Sequence, residues 1–278
     1  MNKKIQSKLN ALAKEQGLDP NRVKALFALE RIVARLESVP ELARSLVFKG
    51  GFVLIRTTNT DRITKDVDAA IFDIGKEAAQ NLLVRAIESS LDDNIRFYDV
   101  RVSAIMVTDD YAGLRADCAF SIDPEEINQN KIKKLPRVHL DVGFGEYIPP
   151  NTERLPLEPM IDEERFKVSW RIYPLEYIFS EKLETTLSRG TANSRAKDLY
   201  DMWFIVKSGL KRSALDIAIK HVFEARSAEL PKDLATELKN LNLQFLEQSF
   251  GSIEISGECP SLSDMREEIV QFFQDVES

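Results

Sequence analysis

The sequence predicts an α/β (α+β) fold, a mixed-sheet core with helices ahead of it and a helical region behind it. Three observations carry this. Short apolar runs of strand length fall at 66–72, 95–107, 116–122 and 138–142. One stretch of helical period, 75–90, interrupts them, with Ala79, Leu82, Leu83, Ala86 and Ile87 as its buried stripe. After Pro174 the pattern turns helical and stays so.

Taken in order, much of 8–48 reads as helical. Asp19-Pro20 is an N-cap followed by proline at the first helical position, and 23–37 carries apolar residues at helical spacing. Pro40 breaks the pattern, and 41–48 reads as another short helix ending at a glycine pair. The central strands follow. Residues 146–172 read as irregular, proline-rich in their first half, with a short strand at 166–172. Helices are expected at 175–187, 194–208, 211–223, 231–241 and 262–276. Two domains are expected: 1–150, the N-terminal helices plus the sheet core, and 151–278, a connector and a C-terminal helical domain.

With 278 residues, 44% of them hydrophobic, the chain has material for a substantial core. No apolar run approaches a membrane span, and the basic N-terminus lacks the apolar segment of a signal peptide. Cys118 and Cys259 form no metal or disulfide pattern. A cytoplasmic location is expected. The net charge of -7 argues against a general nucleic-acid coat, but not against an enzyme that touches a nucleotide or RNA through a local basic patch.

Asp66 and Asp68 are two residues apart at the start of an apolar run, so on a strand they share one face. Like charges held together need an offset, and a hard divalent cation, Mg²⁺ or Mn²⁺, supplies it through oxygen ligands. Asp141 sits inside another apolar run, where aspartate is disfavoured by propensity. Two of these acids would bind metal with a triphosphate, and the third would orient and deprotonate an attacking hydroxyl. Gly50 and Gly51 would let backbone N–H groups approach the phosphates. The plainer alternative makes Asp66 and Asp68 solvent-facing turn residues. Asp61, Asp73, Asp92, Asp93, Asp109 and Asp110 read as caps, turns or solvated positions. Asp117 reads as a turn or edge residue, and His139 as structural.

In the second half, Lys182 and Arg189 lie about two helical turns apart on one face. Arg195 and Asp198 are spaced i,i+3, and Lys197 and Asp201 i,i+4. Such pairs can serve helix stability alone. Their basic members, with Lys207, Lys211 and Arg212, also form a patch suited to a triphosphate or RNA backbone, with Lys182 as the leading phosphate contact. Asp198 or Asp201 would hold a cation in place.

In this order the motifs resemble the nucleotidyltransferase-fold toxins of the AbiEii/AbiGii type, from type IV toxin–antitoxin and abortive-infection (phage defence) systems, themselves similar to the DNA polymerase β superfamily. The resemblance runs over residues 47–205. Its first motif stands as Lys49-Gly50-Gly51, then Arg62-Ile63-Thr64-Lys65-Asp66-Val67-Asp68. Asp141 matches the later isolated carboxylate, and Glu181-Lys182-Leu183 with Arg189 matches the Glu-Lys-Leu helix. Lys197-Asp198-Leu199-Tyr200-Asp201 matches the final signature. Phe52 stands where threonine is usual and Thr64 where serine is. Lys197 replaces arginine, with Arg195 nearby as a substitute; lysine keeps the charge and loses the fork.

The resemblance implies a nucleotidyltransferase-type core that moves a nucleoside monophosphate from an NTP to an acceptor, in some relatives the 3′ end of tRNA. It places Asp66 and Asp68 on the metal, completes catalysis with Asp141 and Lys182, and puts Lys49 on phosphate. It also implies a cognate antitoxin encoded nearby that need not bind stably. Two alternatives stay open: a small-molecule phosphotransferase of the same fold, and a nucleotide-binding regulatory module without turnover.

Overall fold

Ile5, Leu9 and Ala13 recur every fourth residue and form the buried stripe of α1 (Asn2–Glu15), which packs on α2 (Pro20–Glu37). The computed structural model describes residues 2–58, 60, 62–106, 112–122, 129–161, 166–190, 195–251, 253, 255 and 259–275. Gly17, at a left-handed φ of 66°, closes α1, and the Leu18 N–H reaches back to the Ala13 carbonyl at 2.8 Å. Asp19 caps α2, accepting from the N–H groups of Asn21 (2.9 Å) and Arg22 (3.3 Å), with Pro20 in the first turn. Residues 26–36 of α2 are all buried, so this helix is central.

After α3 (Pro40–Ser45) the chain passes straight into β1 (Leu46–Lys49). The helix expected over 41–48 is thereby corrected. Leu46, Val47 and Phe48 are a short apolar run without a readable period, and pairing decides their state. β1 is a central strand, antiparallel to β2 (Asp66–Ile71) and parallel to β7 (Val168–Ile172). The glycine pair therefore joins this strand to α4 (Gly50–Thr57) and does not follow a helix.

The remaining elements are α5 (Lys76–Glu88), β3 (Arg96–Met106), β4 (Ala112–Ser121), α6 (Gln129–Ile132), β5 (Arg137–Phe144) and β6 (Glu153–Leu157). Together the strands form a seven-stranded mixed sheet in the order β3-β4-β5-β2-β1-β7-β6. The pairs β2–β5 and β1–β7 are parallel and the others antiparallel. β6 falls in the segment expected to be irregular. It is an edge strand, where the missing N–H of Pro156 is tolerated.

Alternation splits the β2, β4 and β5 region into two chemically distinct faces. Val67, Ala69, Leu114, Ala116, Cys118, Val138, Leu140 and Val142 are each 1% exposed or less, and α2 and α5 pack on these strands or their neighbours. The alternate residues are Asp66, Asp68, Arg115, Asp117, His139 and Asp141. Arg35 of α2 ties the helical layer to the turn after α5. It donates to both oxygens of Asp93 (2.7 and 2.8 Å) and to the carbonyls of Ser89 (3.0 Å) and Ile95 (3.1 Å). Asp93, expected in a turn or on a solvated face, is thus a buried counter-ion.

The residues group into two compact units, the first Met1–Arg56, Ile63–Ile148 and Thr152–Ile172, the second Thr57–Arg62, Pro149–Asn151 and Tyr173–Ser278. Helices of the second unit are α7 (Leu175–Arg189), α8 (Ala196–Lys207), α9 (Arg212–Ala225), α10 (Leu234–Lys239), α11 (Leu243–Phe250) and α12 (Leu262–Gln274). α7 packs on α8 and α9, and α12 on α8 and α10. Their shared core includes Phe179, Leu183, Met202, Ile205, Ile219 and Ile269. α11, not anticipated as a separate helix, is capped by Asn242, and α12 opens with a Ser261–Asp264 capping box.

Candidate active site

Strand register builds the site in the first unit. Asp68 is flanked by Lys49 of β1 on one side and Asp141 of β5 on the other, and Asp141 is followed by Arg115 of β4. Residues in register share a face. One row across the sheet therefore reads cation, anion, anion, cation. The next row holds Asp66, His139 and Asp117. The three acids singled out in the sequence thus share one face of two adjacent parallel strands.

Each acid is held by its neighbours. Thr64 Oγ1 donates to Asp66 Oδ1. Gly50, at φ 71°, lies against Asp68, and a Cβ built there would fall 3.0 Å from Asp68 Cγ and overlap its carboxylate oxygen. Gly51 is buried in the first turn of α4. Asp141 accepts a fork from Arg115, Nε to Oδ1 at 2.7 Å and Nη2 to Oδ2 at 2.6 Å. That bidentate bond raises the pKa of Arg115 against partial burial, and the charges of Asp141, Asp66 and Asp68 add to it. Lys49 is almost fully buried and pairs with Glu146. Gly143 is bare because a Cβ there would overlap the Glu146 carboxylate.

Asp117 is corrected from a turn or edge residue to the interior of β4, an inner strand. There it meets Arg137, and its Oδ2 lies 2.8 Å from His139 Nδ1. Asp61, Asp109 and Asp110 lie outside the described residues. Cys118 is on the apolar face, where burial pushes its thiol up to about 12, which removes it as a nucleophile at neutral pH.

A second charged cluster lies wholly within the other unit. Arg62 forks onto Asp201, Nε to Oδ1 at 2.6 Å and Nη2 to Oδ2 at 3.0 Å. Lys182 Nζ of α7 reaches Asp198 Oδ1 at 3.0 Å and Asp201 Oδ2 at 2.7 Å, both on α8. Arg195 Nε lies 2.7 Å from Asp198 Oδ2. Asp198 and Asp201 are each 1% exposed. Burial works against the charge of Lys182, but Asp198 and Asp201 outweigh it and hold the ammonium above the ordinary lysine range. Burial likewise opposes the Asp198 charge, and Lys182 and Arg195 overcome it, holding the carboxyl below its usual range.

Among the described ion pairs, Arg195 rather than Lys197 meets Asp198; Lys197 adds only its field. Arg189 is exposed in the last turn of α7 and enters none of these pairs. Lys207 pairs with Glu268, and Arg212 pairs with Asp216 and donates to carbonyls at the end of α12, so both serve helix packing. Sequence reasoning missed Arg115 and assigned no role to Glu146. The signal for Arg115 was present: Leu114-Arg115-Ala116-Asp117 alternates apolar and charged, as a strand with one polar face does.

Asp66 and Asp68 offer hard oxygen donors on one face, the chemistry a divalent ion requires when substrate phosphates and water fill its other positions. Among the described residues no group of three His, Cys, Asp or Glu side chains is disposed around one metal position. The fork from Arg115 engages both oxygens of the third acid. The residues therefore fit a two-carboxylate metal site.

Acids gathered on one face of a mixed sheet, beside a Gly-Gly strand-to-helix junction, define a protein of the phosphoryl- or nucleotidyl-transfer class. The family model for the nucleotidyl transferase AbiEii toxin, Type IV TA system, matches residues 31–257, and the chain belongs to this family. It is a nucleotidyltransferase of the type IV toxin–antitoxin class, a membership that implies an NTP substrate and a cognate antitoxin. Two crystal structures share the fold. One, from H. pylori and provisionally described as a nucleotidyltransferase, has 17% identity and a TM-score of 0.54, covering 92% of this chain and 95% of its own. The other, JHP933 from Helicobacter pylori, has 18% identity and a TM-score of 0.51, covering 91% and 89%. No curated protein matches the sequence. Among the described residues no helix is long and apolar enough to cross a membrane.

Proposed function

We propose that the protein transfers a nucleoside monophosphate from an NTP to a hydroxyl of an RNA acceptor, the 3′ end of a tRNA, and releases pyrophosphate. The observation that carries this is the row placing Asp68 beside Asp141, with Asp66 two residues away on the same face. Asp66 and Asp68 would hold Mg²⁺ or Mn²⁺. Bound there, the ion would supply positive charge against the negative charge that develops during transfer. Asp141 takes the proton of the acceptor hydroxyl as the new O–Pα bond forms and the bond to pyrophosphate breaks. Backbone N–H groups of Gly51 and the first turn of α4 face the phosphates. Lys49 supports them with its charge, and Thr64 fixes the rotamer of Asp66. Within the second unit, Lys182, Arg62 and Arg195 with Asp198 and Asp201 form a basic element suited to an anionic phosphate, with Arg189 and Lys197 adding longer-range attraction.

Family membership implies a cognate antitoxin; the RNA acceptor rests on the resemblance to relatives that act on the 3′ end of tRNA, and the antitoxin need not bind the enzyme stably. The test is incubation of purified protein with each α-³²P-labelled NTP, Mg²⁺ and total bacterial RNA. Label in a discrete RNA band, absent with Asp66→Ala or Asp68→Ala while both variants keep wild-type circular dichroism, is the expected result. Full activity in both variants overturns the metal assignment. Transfer of label from the γ position instead of the α position makes the protein a phosphotransferase.

A further inference from the structure

Arg115 has no part in the proposed transfer, yet its charge acts on all three acids of the site. Asp68 and Asp141 are lateral neighbours on parallel strands, a placement that like charges oppose. Arg115 comes from the next strand in the same row, and its fork engages both oxygens of Asp141. Its side chain is 44% exposed where that of Asp141 is 15% exposed, so the guanidinium lies towards solvent. It can leave Asp141 without opening the core. Arg35, whose side chain is fully buried against Asp93, shows the contrasting structural arrangement.

Resting on the metal site proposed above, we propose that Arg115 is a resident counter-cation of the carboxylate face, partly offsetting its negative charge until a divalent ion binds at Asp66 and Asp68 and opposing that binding through its own positive charge. A guanidinium suits this task because it stays charged at every physiological pH and matches the carboxylate with two parallel bonds. While the fork persists, each Asp141 oxygen accepts one bond from Arg115, so the direction from which an acceptor hydroxyl can meet this carboxylate depends on where Arg115 sits. Arg115 acts through Asp141 and is a positioning residue.

The experiment measures Mn²⁺ affinity by calorimetry and paramagnetic resonance, and melting with and without Mn²⁺, for wild type, Arg115→Met and Arg115→Lys, with Asp66→Ala as the metal-site control. Arg115→Met is expected to bind Mn²⁺ about tenfold more tightly, since a positive charge has left the site. Its metal-free form should melt below wild type and gain more from Mn²⁺. Arg115→Lys, which keeps the charge and loses the fork, should fall between. Equal Mn²⁺ affinity in all three, with the same drop in melting with and without metal, overturns the inference and leaves Arg115 a structural pair. Wild type that binds no Mn²⁺ overturns both the inference and the metal site it rests on.

Discussion

Asp68 depends on a residue that lacks a side chain. Gly50 combines a left-handed φ with direct contact to the Asp68 carboxylate, so alanine there meets both backbone strain and a clash. Gly50→Ala is expected to cost about 1–3 kcal/mol of stability and to displace Asp68. Urea unfolding checks the first effect and Mn²⁺ titration the second. At Lys182 the expectation concerns pH. Asp198, held below its usual range, contributes stability above about pH 4 that is lost as pH falls through its folded value. Lys182, held above its usual range, contributes stability below about pH 10 that is lost as pH rises through its folded value. Melting against pH should thus show a plateau between these limits. Asp198→Asn should remove the acid-side loss assigned to this residue, and Lys182→Met should lower the plateau by about 3–5 kcal/mol by leaving buried acids undercompensated. Asp66, Asp68 and Asp141 were legible because acids inside apolar runs stand out. Arg115 was not singled out, because its partner is set by the register of β4 against β5, which one sequence does not state.

Among the elements, α2 shows how far local chemistry reaches. Asp19, Pro20 and the apolar period announce its start and extent, and the structure follows them. Its polar interior was not legible: Glu30, Arg31 and Arg35 are buried, and Arg56, Phe166 and Asp93 come from distant segments to meet them in turn. Arg35→Ala is expected to cost about 3–5 kcal/mol by leaving Asp93 buried without its counter-ion. Differential scanning calorimetry of that variant, and of Arg35→Lys, checks the size and the need for the fork. β1 was misread for a related reason. Its four residues carry no period, and its strand character comes from β2 and β7 on either side. β6 was hidden by its proline, which an edge position accepts.

At the scale of the whole molecule, the order of motifs along the chain carried the fold class and the family, since several short signals in sequence are more specific than each alone. Membership of a toxin family leads to a growth phenotype. Induced expression in a bacterial host should halt growth, and Asp66→Ala should restore it; growth curves with matched protein levels check this. Unabated toxicity of Asp66→Ala would separate the toxic effect from the transfer chemistry. The division into units has a consequence for synthesis. Arg62 belongs to the second unit although it is flanked in sequence by segments of the first, and its partner Asp201 lies 139 residues downstream. A ribosome working from the N-terminus exposes the arginine long before its counter-charge exists. A message broken anywhere in that interval yields a product that lacks Asp201, the acid onto which Arg62 forks.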